Sequence, residues 1–266
     1  MLHSLFISHG SPSLVLSDHP ARDFLVALGK RLPRPKGALV ISAHFETPNL
    51  TLGSAAHPET LHDFYGFPEA LYRMHYPAPG MPDTARDLAQ ALQENGIDAA
   101  LDPSRPLDHG VWSPLSLLWP DAKVPLLPVS VPIALDTDQQ LKIAARLGEY
   151  AERENLWLVG SGAATHNLGD RKTEFAEPDA WAREFHAWAR DTAEAGDLKA
   201  IANWQRLAPH ARYAHPTPEH FLPLLMSMGA MRGQPMQALH ESFSFGNLSM
   251  LVLASASLAS SWKQAA

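Results

Sequence analysis

Fourteen histidines and no cysteine lie in this 266-residue chain, so any metal ion it holds must be bound through nitrogen and oxygen. Four of the histidines sit where such a site could be built. His9 falls in Ser8-His9-Gly10-Ser11-Pro12, His44 in Ser42-Ala43-His44-Phe45, and His166 in Ser161-Gly162-Ala163-Ala164-Thr165-His166-Asn167. Each follows a short apolar run that reads as a β-strand. The carboxyl ends of strands in an open α/β sheet border the crevice where ligands bind, so residues far apart in sequence can converge there. One histidine at a strand end is most simply a hydrogen-bonded loop residue; three are harder to dismiss.

His220 arrives by another route, in Pro216-Thr217-Pro218-Glu219-His220-Phe221-Leu222-Pro223. Thr217 suits an N-cap and Pro218 the first helical position, which predicts a helix with His220 in its first turn. Glu219 is its rival as a ligand, because two histidines and a carboxylate form a common facial set for ferrous iron. Neighbouring helical residues point about 100° apart, so only one of the two should reach a given ion. His220 is the preferred choice, with Glu219 read as an acid stabilising the helix start. His109, in Asp108-His109-Gly110-Val111-Trp112-Ser113-Pro114-Leu115, occupies a constrained turn before a short apolar helix. It is a candidate hydrogen-bond donor or proton carrier. Of the rest, His62 and His215 are placed at the mouth of the site without being ligands. His3, His19, His57, His75, His186, His210 and His240 read as packing or surface residues, His186 on an amphipathic helix between Phe185 and Ala187.

The elements that must position these side chains follow a pattern of short β-branched or leucine-rich runs alternating with amphipathic stretches. This predicts a single α/β domain over residues 1–266: a mainly parallel central sheet flanked by helices in three layers, with the metal site at the strand carboxyl ends. Strands are expected at Leu2–Ile7, Ala38–Ser42, Leu50–Ser54, Val124–Val131, Leu156–Gly160 and Leu248–Ala254. Helices are expected at Asp83–Asn95, Thr137–Glu154 and Asp179–Ala195. Prolines cluster between elements and mark loops.

Composition excludes several classes. The formal net charge of −7 with no basic run leaves little to hold a phosphate backbone, so no nucleic-acid partner is expected. The absence of cysteine excludes iron–sulfur clusters, thiol nucleophiles and disulfides. Neither a leader pattern nor a run of about 18 apolar residues is present, which predicts no membrane partner and a cytoplasmic location. Nothing here fixes an oligomeric state.

Seven motifs in order, SHGSP, SAHFE, HDFYGFP, YPAPG, DHGVWSPL, GSGAATHN and PTPEHFLPLL, together resemble the DOPA-dioxygenase type of class III extradiol ring-cleaving dioxygenases. These belong to the wider family of the protocatechuate 4,5-dioxygenase catalytic subunit. The resemblance implies an enzyme that inserts O2 into a catechol and opens its ring at non-haem Fe(II), with Zn(II) often in the same site of purified members. It implies His9, His44 and His220 as metal ligands, His166 as acid/base residue or a further metal neighbour, and His109 in the substrate pocket. The protocatechuate type completes its site with a glutamate where this chain matches the histidine of PTPEH. Three neutral ligands leave the ion's charge uncompensated by protein, so an anionic, chelating catecholate is expected to supply it. His166 is then the expected base and His109 the residue steadying substrate oxygens. Two other readings use the same cluster: a zinc hydrolase or amidase, and a non-catalytic metal-binding protein.

Overall fold

The computed structural model describes residues 1–265. Its centre is an eight-stranded sheet formed by β1 (His3–Ser8), β2 (Ala38–Thr47), β3 (Thr51–Gly53), β4 (Ala100–Asp102), β5 (Leu126–Pro132), β6 (Trp157–Gly162), β7 (Met236–His240) and β10 (Val252–Ser255). A separate two-stranded ribbon pairs β8 (Phe243–Ser244) with β9 (Leu248–Ser249). The sheet order is β4-β3-β5-β2-β6-β1-β10-β7. The four central strands β5, β2, β6 and β1 run parallel, while β3 pairs antiparallel to β5, β10 to β1 and β7 to β10. Those central strands are buried along most of their length and therefore read in sequence as largely apolar runs without polar alternation, as parallel strands between helical layers must.

Helices cover both faces. They are α1 (Pro20–Arg31), α2 (Glu69–Tyr72), α3 (Pro82–Gln93), α4 (His109–Leu118), α5 (Thr137–Arg153), α6 (Ala180–Ala195), α7 (Leu198–Ala202), α8 (Trp204–Leu207), α9 (Ala211–Ala214), α10 (Leu222–Ala230) and α11 (Ala256–Gln264). On one face Leu88 of α3, Leu147 of α5, Phe185 of α6 and Leu225 of α10 join Leu39, Leu127 and Leu158 of the sheet in one core. On the other, Leu25 and Leu28 of α1, Trp112 and Leu115 of α4 and Leu258 of α11 pack against Leu5, Val40 and Val159. This is the expected three-layer α/β arrangement.

Three details differ from expectation. The helix α1 was not anticipated, although Pro20 at its start and Ala21, Leu25 and Leu28 on one face carry its signature. The C-terminal apolar stretch is broken, with Leu248–Ser249 in the ribbon and only Val252–Ser255 in the sheet. The helix after PTPEH starts at Leu222, so His220 lies in the turn before it. The carbonyl of His220 accepts the N–H of Ala163 at 2.8 Å, which ties the residue to the end of β6 instead of feeding it into the helix. Among the described residues no helix is long and apolar enough to cross a membrane.

Candidate metal centre

At the carboxyl ends of the parallel strands, three histidine nitrogens meet. His44 Nε2 is 3.2 Å from His9 Nε2 and 3.3 Å from His220 Nε2. Each ring is held from behind through Nδ1. Ser161 commits its hydroxyl proton to the Gly110 carbonyl, so its oxygen accepts from His9 Nδ1–H at 3.0 Å. Glu219 Oε1 accepts from His220 Nδ1–H at 2.9 Å and is itself braced by Thr217 Oγ1 at 3.0 Å. His44 Nδ1 faces Asp63 Oδ2 at 3.5 Å. His9 and His220 thus carry their ring protons on Nδ1 and present bare Nε2 lone pairs, and the same tautomer of His44, turned towards Asp63, would complete a set of three. Metal–nitrogen bonds of about 2.1 Å would set such nitrogens about 3.0 Å apart at a right angle and about 3.4 Å apart at the tetrahedral angle. The observed separations lie between these values, and the three residues form a group able to hold one ion.

The backbone explains why these rings converge. His9 follows β1 directly, and its N–H bonds the Gly162 carbonyl at the end of β6. His44 lies inside β2, where pairing with β5 breaks between Ile41 and Glu46 and resumes beyond. Such a bulge re-aims side chains without ending the strand. Gly110 is required alongside: a Cβ there would stand 2.7 Å from Ser42 Oγ and 3.0 Å from His44 Cδ2.

Burial keeps the cluster neutral. Loss of solvation pulls His44 down to about 3 and His9 and His220 well below the ordinary histidine value, with mutual repulsion among the rings adding to the effect. Near pH 7 a metal therefore has no proton to displace.

The two remaining candidates differ in their support. His109 opens α4, whose N-cap Asp108 is completely buried, accepts from Val111 N–H and Ser42 Oγ, and pairs with Arg105. The His109 ring centre is 4.0 Å from that of His44, and its Nδ1–H donates to Asp63 Oδ1 at 2.8 Å. Burial acts to raise the Asp63 carboxyl, but the hydrogen bonds from His109 outweigh it and hold the group at about 2. His166 stacks on His220, rings 3.4 Å apart and 10° from parallel. Among the described residues its ring has no hydrogen-bond partner, and burial first of all holds it down at about 4.

Asp63 was not singled out in the sequence, although it stands in the HDFYGFP motif; its role depends on contact with a residue 46 positions away. Its presence, with Glu219, changes the expected charge balance. Both carboxylates lie one layer behind the nitrogens, so the charge of an ion held there would be answered in part by the protein. Histidine backed by carboxylate is the usual way such rings are oriented and made more basic. His215 departs from its expected place at the mouth: it is 3% exposed, packed among Phe185, Trp204 and Phe221, and its Nε2 bonds the Ala164 carbonyl at 3.0 Å. His62 bonds the Met74 carbonyl at 3.2 Å and does not join the cluster.

Above the histidines opens a cavity of about 420 Å³ walled by Phe64, Phe67, Leu168, Phe245 and Leu248, with Ser249 and Arg171 also on its lining. Its floor is polar and its sides are apolar, a shape suited to a flat ring with oxygens at one edge.

Residues 3–252 match the family described as the catalytic LigB subunit of aromatic ring-opening dioxygenase. The chain is 36% identical over 232 residues to the 4,5-DOPA dioxygenase extradiol of Portulaca grandiflora, covering 85% of each chain. It is also 36% identical over 262 residues to the protein of that name from Escherichia coli strain K12, covering 93% of this chain and 92% of the relative. The crystal structure of an uncharacterized Escherichia coli K12 protein superposes with a TM-score of 0.79 at 30% identity, covering 96% of this chain and 99% of that one.

Proposed function

Because the chain belongs to the family of catalytic LigB subunits of aromatic ring-opening dioxygenases and is an extradiol ring-cleavage enzyme, we infer that it opens a catechol ring with dioxygen. The ion it uses would be ferrous, and His9, His44 and His220 would hold it, with residues 1–266 acting as one catalytic domain. One observation carries the ligand assignment: three Nε2 atoms converge while each Nδ1 is turned away towards a protein oxygen. The cavity opens over these three nitrogens, so a substrate could approach them from that side. When bound, Fe(II) supplies a one-electron couple and a Lewis-acidic centre at which catechol oxygens and dioxygen can meet, whereas zinc supplies only the Lewis acid.

The protein's share is orientation and proton transfer. The apolar walls grip the ring by its faces and fix which edge meets the histidines, which removes much of the entropic barrier. Taking a proton from a catechol hydroxyl needs a neutral base. His109 offers Nε2, because Asp63 holds the other ring proton, and the imidazolium formed would be paired with a carboxylate. The same group can return the proton when the ring opens. His166, neutral and without a partner for its ring among the described residues, stands ready for the other proton transfer. This division gives His109 more of the work than the sequence suggested, since a neutral His109 with its proton on Nδ1 can only accept at Nε2.

Anaerobic loading with Fe(II), followed by oxygen and a panel of catechols, tests the reading through oxygen uptake and the absorbance of ring-opened product. Zinc-loaded protein should bind the same catechols and leave them intact. Turnover with zinc alone, or no cleavage of any catechol by the iron form, would reject it.

A further inference from the structure

Behind the cavity wall lies a second group of proton-bearing side chains that the metal centre does not use. Ser249 of β9 is 1% exposed and lines the cavity. Its backbone is pinned by Ser249 N–H donating to Thr165 Oγ1 at 2.7 Å. Its Oγ lies 2.8 Å from His186 Nδ1, and His186 Nε2 lies 2.7 Å from Glu241 Oε2. His186 itself, on α6, is buried, whereas the Glu241 side chain is 40% exposed. The directions of these bonds can be assigned. A carboxylate only accepts, so Nε2 carries the ring proton, Nδ1 accepts, and the Ser249 hydroxyl donates to it. The Leu251 N–H fills one lone pair of Ser249 Oγ at 3.3 Å, leaving the other for a proton from elsewhere.

We propose that Ser249, His186 and Glu241 form an auxiliary proton store for the cavity, with Ser249 as the group that touches substrate and the other two acting through it. The inference rests on the cavity being where catechol binds. In the uptake step a catechol O–H bond breaks to Ser249 Oγ as the Oγ–H bond breaks to His186 Nδ1. The serine is regenerated, the imidazole becomes imidazolium, and the substrate becomes its anion. No electron changes centre. The positive ring is stabilised by Glu241, which Arg190 Nη1 also holds at 3.0 Å, and it packs against Phe243 with ring centres 5.1 Å apart. Burial acts to raise the Glu241 carboxyl, but the hydrogen bonds from His186 and Arg190 outweigh it and keep the group below its usual range. The reverse step returns the proton to the product.

Calorimetry of catechol binding to zinc-loaded protein, repeated in buffers of different ionisation enthalpy, counts the protons released without requiring turnover. Relative to the parent, Ser249→Ala and Glu241→Gln should each release up to about one proton more per site, because the store no longer takes it. In the iron form both should lower kcat about tenfold with KM unchanged. The double variant should be no worse than Ser249→Ala alone, because both changes break one chain. If Ser249→Ala does not fold, Glu241→Gln on its exposed carboxylate carries the test. Equal proton release in all proteins, or additive losses that follow folded fraction, would overturn the store while leaving the dioxygenase reading intact. A parent that neither binds nor cleaves catechol would overturn both.

Discussion

Asp63 Oδ1 accepts two hydrogen bonds from one residue, His109: the backbone N–H at 3.0 Å and the ring Nδ1–H at 2.8 Å. Its other oxygen faces His44. One carboxylate thus fixes the start of α4, the tautomer of the proposed base and the back of a proposed ligand.

Asp63→Asn should therefore impair the reaction well beyond its effect on folding. An amide oxygen can still accept both bonds, but without a negative charge it stabilises an imidazolium far less, so kcat should fall about 100-fold or more. Stopped-flow turnover of the iron form, with metal content measured in parallel, separates this from loss of the ion. An unchanged kcat would return the base role to His166.

Ligand substitutions should divide the histidines into two groups. His9→Ala, His44→Ala and His220→Ala each remove one of three nitrogens and should abolish stoichiometric metal in elemental analysis, with the circular dichroism of the fold preserved. His166→Ala should keep its metal and lose turnover. An empty site in that last variant would make His166 a ligand.

Gly110→Ala tests the packing behind His44. The added methyl must displace Ser42 Oγ or the imidazole itself, since both lie within 3.0 Å of it. Metal affinity, measured by competition with a chelator, should fall about 10- to 100-fold, with β2 and α4 otherwise intact. Wild-type affinity would mean that His44 can give way without cost.

His215 should make stability pH-dependent. Burial holds its imidazole down to about 3 in the fold, against an ordinary value of 6.5, and its Nδ1 is buried without a partner among the described residues. Between these values the unfolded chain binds the extra proton, so unfolding becomes easier as pH falls from 6.5 towards 3, with no contribution above 6.5. Denaturant titrations of metal-free wild type and His215→Phe should diverge in slope only below pH 6.5. Parallel curves throughout that range would show that His215 does not carry the dependence.

How much of this was legible in sequence depended on how local each relationship is. His9 and His44 could be placed because a strand followed by histidine is a short-range pattern, and the sheet order then brings the two together. His220 was located within its motif but assigned to a helix, because Thr217 and Pro218 imitate a cap. The bond from Ala163 to its carbonyl, 57 positions away, decides otherwise. Asp63 and Glu219 were readable as acids beside histidines, but their partners were not. Ser249 and His186 lie 63 residues apart, and each alone resembles an ordinary packing residue.

The interruption in β2 has a mechanical consequence. Ser42 to Phe45 face the single residue Ser130 on β5, and the ladder is restored at Glu46 and Thr47. His44 is thus clamped on both sides, while His9 is anchored by the strand behind it and His220 by its carbonyl bond to Ala163. Removing the ion should loosen these three arms unequally. Amide exchange should rise first around Glu219 to Phe221 and last around His44, so the protein would open and reload its centre from the His220 side.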